Sequence, residues 1–246
     1  MKIKVYIVTY KNDKVLNDWS LNTIFSSNYK NLNHDVQIFV INNHSNINVK
    51  DEYKDKITIL NNDLRPDFST GHLARNWNQA IINGFKDPDK PDADIVVCCQ
   101  NDVKFTKDWL TNLLKLHEKY TFVNFGQGDA FHSYKIDAIK NIGLWDERFC
   151  NICYQEHDYF IRALIYNRDH STINSPGSKQ LHNKVAFNVI ETTPCGCKRG
   201  EKSHNESKKH SNISKTIFQQ KWGGLRPAQW KPGFDYLMTD EVPVPI

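Results

Sequence analysis

The chain lacks any long apolar run. Its longest uninterrupted hydrophobic stretch is Ile95–Cys99, far below the roughly 20 residues of a membrane-spanning helix. The start, Met1-Lys2-Ile3-Lys4-Val5, has no apolar signal-peptide core and reads directly as an alternating strand. The expectation is a soluble, cytoplasmic protein with no transmembrane segment. Charge of one sign is also scarce: the net charge is +4 over 246 residues, with lysines and acids interspersed. Nucleic-acid binding needs a larger basic face interleaved with exposed aromatics, and no such face is expected. P-loop, HExxH and GxSxG motifs are missing, which removes the usual marks of three enzyme classes. No internal repeat is present, and no linker rich in proline, glycine and serine splits the chain.

Hydrophobic residues make up 39% and aromatics 12%, enough to exclude a largely disordered chain. The length suits one large α/β domain or two small ones. Strand patterns fall at 4–9, 36–41, 57–60 and 93–99, the last apolar on both faces as a covered central strand must be. Helical patterns fall at 16–27 and 72–85, the latter with Leu73, Trp77, Ile81 and Phe85 at helical spacing. Further helices are expected at 108–120, 156–166 and 213–222, with a less regular stretch of short strands and loops after Asn167. Strands alternating with helices imply a mostly parallel sheet flanked by helices.

Polar clusters directly follow three of the strands: Thr9-Tyr10-Lys11-Asn12, Asn42-Asn43-His44-Ser45 and Gln100-Asn101-Asp102. Ligands of open α/β sheets bind outside the carboxyl ends of the strands, so the three clusters should converge on one crevice. Asp102, beside the amides of Gln100 and Asn101, suits a hard cation such as Mg²⁺ or Mn²⁺. An acid after a strand also caps helices. Asp146, Glu147, Glu156 and Asp158 crowd an aromatic-rich segment, either as helix caps with an Asp158–Arg162 pair or as a reactive site. Cys150, Cys153, Cys195 and Cys197 raise a structural zinc site, though at unusual spacing. The segment 198–210 is locally basic: either a solvated loop or a mobile flap that meets an anionic ligand.

In this order the pieces resemble the GT-A-fold glycosyltransferases, specifically the inverting family 2 type, over about Lys2 to Gly224. Thr9 to Asn12 is similar to that family's first-strand turn under the nucleotide, and Asn42 to Ser45 to its Asp-Asn-Gly-Ser turn. The segment Gly71 to Asn76 resembles its element near the diphosphate and ribose. Gln100-Asn101-Asp102 falls on the metal-binding DXD motif. Gly143 to Phe149, followed by Gln155 to Asp158 and Arg162-Ala163, resembles the acceptor-side segment. Leu181-His182-Asn183 and the stretch from Phe218 to Gly223 match two later elements. Three positions differ from the family: Asn42 and Gln100 stand where it has aspartates, and Glu156 replaces the usual catalytic Asp.

The resemblance implies an α/β/α sandwich with a Rossmann-like N-terminal half. It implies a single catalytic domain, with a donor half (1–103), an acceptor half (104–224) and a C-terminal tail (225–246). The implied activity is metal-dependent transfer, with inversion, of a hexosyl or pentosyl group from a nucleotide-sugar to an acceptor hydroxyl, on a glycan or another acceptor. Thr9, Tyr10, Asn12, Asn42, Ser45, Gly71, Arg75, Asn76, Gln100 and Asn101 would bind donor. Asp102 and His182 would hold Mn²⁺ or Mg²⁺, and Trp145, Asp146, Glu147 and Asp158 would face the acceptor. Glu156 would be the general base, ionised at neutral pH if it keeps the ordinary glutamate pKa of about 4.3. Two alternatives stand beside this reading: a sugar-nucleotidyltransferase, although 10–13 lacks the glycine such a loop needs, and a zinc-stabilised non-catalytic module.

Overall fold

In β1 (Lys2–Thr9), Ile3, Val5 and Ile7 join one layer of the core, while Tyr6 and Val8 join the other. Side chains of a strand alternate between faces, so a strand apolar on both faces has to be covered on both. β2 (Asp35–Asn42), β3 (Thr58–Asn61) and β4 (Ile95–Gln100) run parallel with it in the order β3-β2-β1-β4. The computed structural model describes residues 1–43, 46–62, 73–125, 129–149, 154–170, 173–174, 189–191 and 211–222.

The sheet continues past β4 with β7 (Phe131–Tyr134), β6 (Phe122–Phe125) and β8 (Ile173–Asn174). β7 is antiparallel to both of its neighbours, and β8 is parallel to β6. A separate antiparallel pair joins β5 (Lys104–Phe105) to β9 (Ile190–Glu191). The mostly parallel sheet agrees with the sequence pattern, but the antiparallel β7 beside β4 was not expected from it.

Helices cover both faces. On one side lie α1 (Asp13–Val15), a π-helical turn (Leu16–Leu21), α2 (Asn22–Ser26), α3 (Asp51–Lys54) and α5 (Trp109–His117). On the other lie α4 (Leu73–Phe85), α6 (Ile136–Ile142), α7 (Tyr154–His170) and α8 (Ser211–Trp222). The amphipathic spacing of α4 buries Leu73, Trp77, Ile81 and Phe85. Gly84 lets this helix sit against the sheet, because an added Cβ would lie 2.4 Å from a Val96 methyl. The arrangement is an α/β/α sandwich, and among the described residues no helix is long and apolar enough to cross a membrane.

Two buried histidines lie on the β6–β7 side. The His117 ring reaches the Tyr120 carbonyl through Nδ1 at 2.9 Å and Ser133 Oγ through Nε2 at 2.8 Å. A carbonyl only accepts, so Nδ1 carries the proton and Nε2 accepts from the serine. Burial pulls the His117 pKa down to about 4 and that of His132, packed against Trp77 and Trp145, to about 3. With folded values below the unfolded 6.5, their contribution to stability is complete above that pH and is lost as pH falls toward 4 and 3. The expected result by proton NMR is two imidazole rings that do not titrate between about pH 7 and about pH 5. Titration of every ring near 6.5 would contradict this packing.

Candidate functional site

The parallel strand ends lie abreast: Thr9 is opposite Asn42, Asn42 opposite Asn61, and Val8 opposite Gln100. The three polar clusters therefore start side by side at one edge of the sheet. Asn101 Nδ2 donates to Thr9 Oγ1 at 2.9 Å, and the Asn43 backbone N–H donates to the Thr9 carbonyl at 3.1 Å. Asn42 Nδ2 donates to Asn61 Oδ1 at 2.9 Å. Asn62 Nδ2 reaches Asn43 Oδ1 at 3.1 Å and Gln79 Oε1 at 2.8 Å, with Asn76 Oδ1 at 3.5 Å. Where an aspartate would add a charge, this edge presents neutral amides, which both donate and accept.

The loops above the crevice are tightly set. Lys11, next to Tyr10 and Asn12, adopts a left-handed φ of 47°, a conformation costing roughly 1–2 kcal/mol for a non-glycine residue. The wide turn Leu16–Leu21 points Ser20 Oγ at the carbonyls of Asn101 and Val103, both 2.9 Å away. That bond fixes the path of the chain just after β4, where Asp102 lies half-buried. π-helical turns are common at functional sites. Ser45, Gly71 and His182 lie outside the described residues, as do Cys150, Cys153, Cys195, Cys197 and the basic segment 198–209.

Sequence reasoning missed Asp129, which stands in the turn between β6 and β7. It is 2% exposed, and its carboxylate accepts from Trp77 Nε1 at 2.9 Å and Gln100 Nε2 at 2.8 Å, with Gln155 Nε2 at 3.5 Å. Gln100 thereby ties the end of β4 to this acid. Glu156 lies near it in the first turn of α7 and is also 2% exposed. Its Oε1 has no hydrogen-bond partner among the described residues. Burial first, then the charge of the nearby Asp129, push the Glu156 pKa well above the ordinary glutamate range. The expectation of an ordinary pKa at Glu156 is therefore corrected: burial and a nearby acid both disfavour its charged form. Nothing in the local sequence marks Asp129, because its partners come from α4, β4 and α7.

The acceptor-side residues divide. Gly143, with a φ of 85°, ends α6 and turns the chain into Trp145 and Asp146. The Asn78 amide holds this turn on α4, donating to the Trp145 carbonyl at 2.9 Å and accepting from its N–H at 2.8 Å. Trp145 itself is buried, stacked on Tyr159 at 4.2 Å and donating to Tyr134 Oη at 2.9 Å. Glu147 is partly exposed and pairs with Arg75 Nε at 3.3 Å, which links a donor-side residue to the acidic turn. Asp146 sits between Arg148 at 2.7 Å and Lys221 at 3.1 Å. Burial works against its charge, but these two cations win and hold its pKa below the usual carboxylate range.

Asp158, expected to face the acceptor, is fully buried. Its Oδ2 accepts from Arg162 at 3.0 Å, and its Oδ1 from Trp222 Nε1 at 3.0 Å with Lys221 Nζ at 2.6 Å. The i,i+4 partner is the one the spacing suggests, and the other two come from α8. Both of its oxygens are occupied, Oδ2 within α7 and Oδ1 in docking the last helix.

Among the described residues, no group of three His, Cys, Asp or Glu side chains could hold a metal ion. Gln100 and Asn101 spend their amide N–H groups on Asp129 and Thr9. Asp102 is a carboxylate at the end of β4, half-buried.

No protein-family model matches the chain, and no curated protein sequence matches it. Solved structures do. S. aureus TarS 1–349 in complex with UDP is 11% identical over 91% of this chain and 72% of its own, with a TM-score of 0.52. A second structure of TarS 1–349 is 9% identical over 97% and 69%, with a TM-score of 0.51. The mannosyltransferase PcManGT from Pyrobaculum calidifontis, in complex with GDP-Man and Mn²⁺, is 13% identical over 71% of this chain, with a TM-score of 0.47. The chain spans 54% of the length of that mannosyltransferase and 34% of the length of another TarS structure. At these identities the likeness is one of fold. With its α/β/α layers and mostly parallel central sheet, the chain has the fold of the GT-A-type glycosyltransferases.

Proposed function

We propose that the chain is an inverting glycosyltransferase that moves a sugar from a nucleotide-sugar to an acceptor hydroxyl, on a glycan or a similar molecule. One observation carries the reading: the Gln100–Asp129 hydrogen bond joins the polar crevice at the strand ends to a buried carboxyl pair. Inversion needs a donor site and a proton acceptor on opposite sides of one reacting carbon, and this reading assigns the strand-end residues to the first and the buried acids to the second. TarS, which shares the fold, binds UDP, and by that likeness a nucleoside diphosphate would lie over Thr9, Tyr10, Asn12, Asn42 and Asn101. Ser45, Gly71, Arg75 and Asn76 complete the proposed donor side. Residues 1–103 and 104–224 then act as two halves of one domain.

Glu156 is the residue proposed to take the acceptor proton, a role worth about 10²–10⁴-fold in rate. Its burial keeps the reacting hydroxyl away from water, which limits loss of donor to hydrolysis. Glu147 and Asp146 are the acidic residues proposed to receive acceptor hydroxyls at the rim.

Mg²⁺ or Mn²⁺ fits Asp102 in one respect: such ions are commonly held by one or two carboxylates with substrate phosphates and water completing the sphere. His182 is the proposed further ligand. Bound there, the ion would offset charge on the leaving diphosphate.

Thermal melts with a panel of nucleotide-sugars test the donor site. A donor at 100 times its Kd adds about 2.7 kcal/mol of stability, so at least one should raise Tm clearly, and less so in Asp102→Ala or with EDTA. No rise with any nucleotide-sugar, with or without Mn²⁺, would reject the proposal.

A further inference from the structure

We infer that Lys221 is a positioning residue for the acceptor side: its ammonium bridges Asp146 and the buried Asp158, and so clasps the turn that carries Asp146 and Glu147 onto α7 and α8. The role of that turn rests on the glycosyl-transfer reading above, whereas the clasp rests on the packing alone. Lys221 Nζ lies 2.6 Å from Asp158 Oδ1 and donates to Asp146 Oδ2 at 3.1 Å. A lysine ammonium is a compact charge with three N–H donors, so one such group can serve carboxylates of two elements at once.

The first residues of the turn are fixed elsewhere. Tyr159 Oη donates to the Gly143 carbonyl at 3.2 Å, and Asn78 holds Trp145 from α4. Asp146 lies past those anchors. Arg148 bonds it through Nε at 2.9 Å and Nη2 at 2.7 Å. Arg148 belongs to the same turn and is largely exposed, so that pair on its own ties Asp146 only to a near neighbour. Lys221 comes from 75 positions along the chain, and its side chain is 19% exposed. Charge pairs held mostly out of water are screened less than surface pairs.

α8 is built to deliver this lysine. Ser214, Phe218 and Trp222, at four-residue spacing, are buried, which lays one stripe of the helix against the rest of the fold. The Phe218 ring packs at 5.6 Å on Tyr154 of α7 and at 6.4 Å on Phe149 at the end of the turn. Trp222 Nε1 donates to the same Asp158 Oδ1 at 3.0 Å. Lys221 therefore leaves α8 beside an anchored tryptophan, where α7, α8 and the turn meet. Without its charge each acid keeps a cation, Arg148 on Asp146 and Arg162 on Asp158. The fold should survive that loss, and the placement of Asp146 should not.

Amide exchange on the full chain tests the clasp without any substrate. The Arg148 and Phe149 amides both donate to Asp146 and report on the turn. In Lys221→Met, which keeps most of the aliphatic stem, they should exchange about tenfold faster, an ordinary coupling for residues of one ion-pair network. Amides of α4 should not change, and Lys221→Arg should restore most of the protection. Should the methionine variant not fold, Lys221→Gln, which loses the charge and keeps a donor, serves for the same measurement.

With substrates, Lys221→Met should raise the acceptor KM about tenfold while donor affinity stays near wild type, and should add little in an Asp146→Asn background, because effects routed through one shared partner are not additive. A purely structural loss would add in full. Unchanged exchange of the two amides, an unmoved acceptor KM, or a KM effect undiminished by Asp146→Asn overturns the inference. Faster exchange without transfer from any donor refutes the glycosyltransferase reading alone; transfer with the turn as protected in Lys221→Met as in wild type refutes the clasp alone.

Discussion

Glu156→Gln is expected to lower turnover by about 10²–10⁴-fold while leaving donor affinity near that of wild type. Glutamine keeps the volume and shape of the buried side chain. It cannot take up a proton, so the acceptor hydroxyl loses its outlet. A mutation that removes an interaction made only in the transition state lowers kcat and kcat/KM together. That pattern, measured as initial rates beside donor titrations, is the one to look for. Normal turnover in a folded Glu156→Gln enzyme would move the role to another acid.

Asp158→Ala should do the reverse, costing stability first. The side chain is fully buried, and Arg162, Lys221 and Trp222 converge on it. Removing one partner of a buried ion pair leaves charge uncompensated, at about 3–5 kcal/mol, a large share of the roughly 5–15 kcal/mol that holds a typical domain folded. The loss should centre on α8, whose Lys221 and Trp222 would have no anchor on α7. Urea unfolding gives the magnitude, and amide exchange along Ser211–Trp222 gives the location. An inactive Asp158→Asn enzyme with unaltered stability would return this residue to the chemistry.

These contrasts show where the sequence was informative. β4 was legible because Ile95–Cys99 is apolar on both faces, and only a central covered strand tolerates that. The strand-end clusters were legible because chain order in a parallel sheet fixes which loops share an edge. β6 and β7 were not: each is four residues long, with Asn124, His132 and Ser133 in their middles. The His117–Ser133 bond that makes such a strand tolerable forms only in the fold. Asp158 carried half of its story, since Arg162 lies one turn away while Lys221 and Trp222 come from the last helix, Trp222 being 64 positions further along. Asp129 carried none. Trp77 is 52 positions before it and Gln100 is 29, and a lone acid in a turn has no period to betray it. The altered Glu156 pKa was hidden for the same reason, as it depends on that unseen neighbour.

The measurement that bears most directly on the account is the anomeric configuration of the product. Wild-type enzyme is incubated with the nucleotide-sugar that raises its Tm, Mn²⁺ and a panel of hydroxyl acceptors, and the new linkage is read by proton NMR. The account predicts a linkage of configuration opposite to that of the donor, formed by wild type and not by Glu156→Gln. A product that retains the donor's configuration, or equal product from Glu156→Gln, would contradict it.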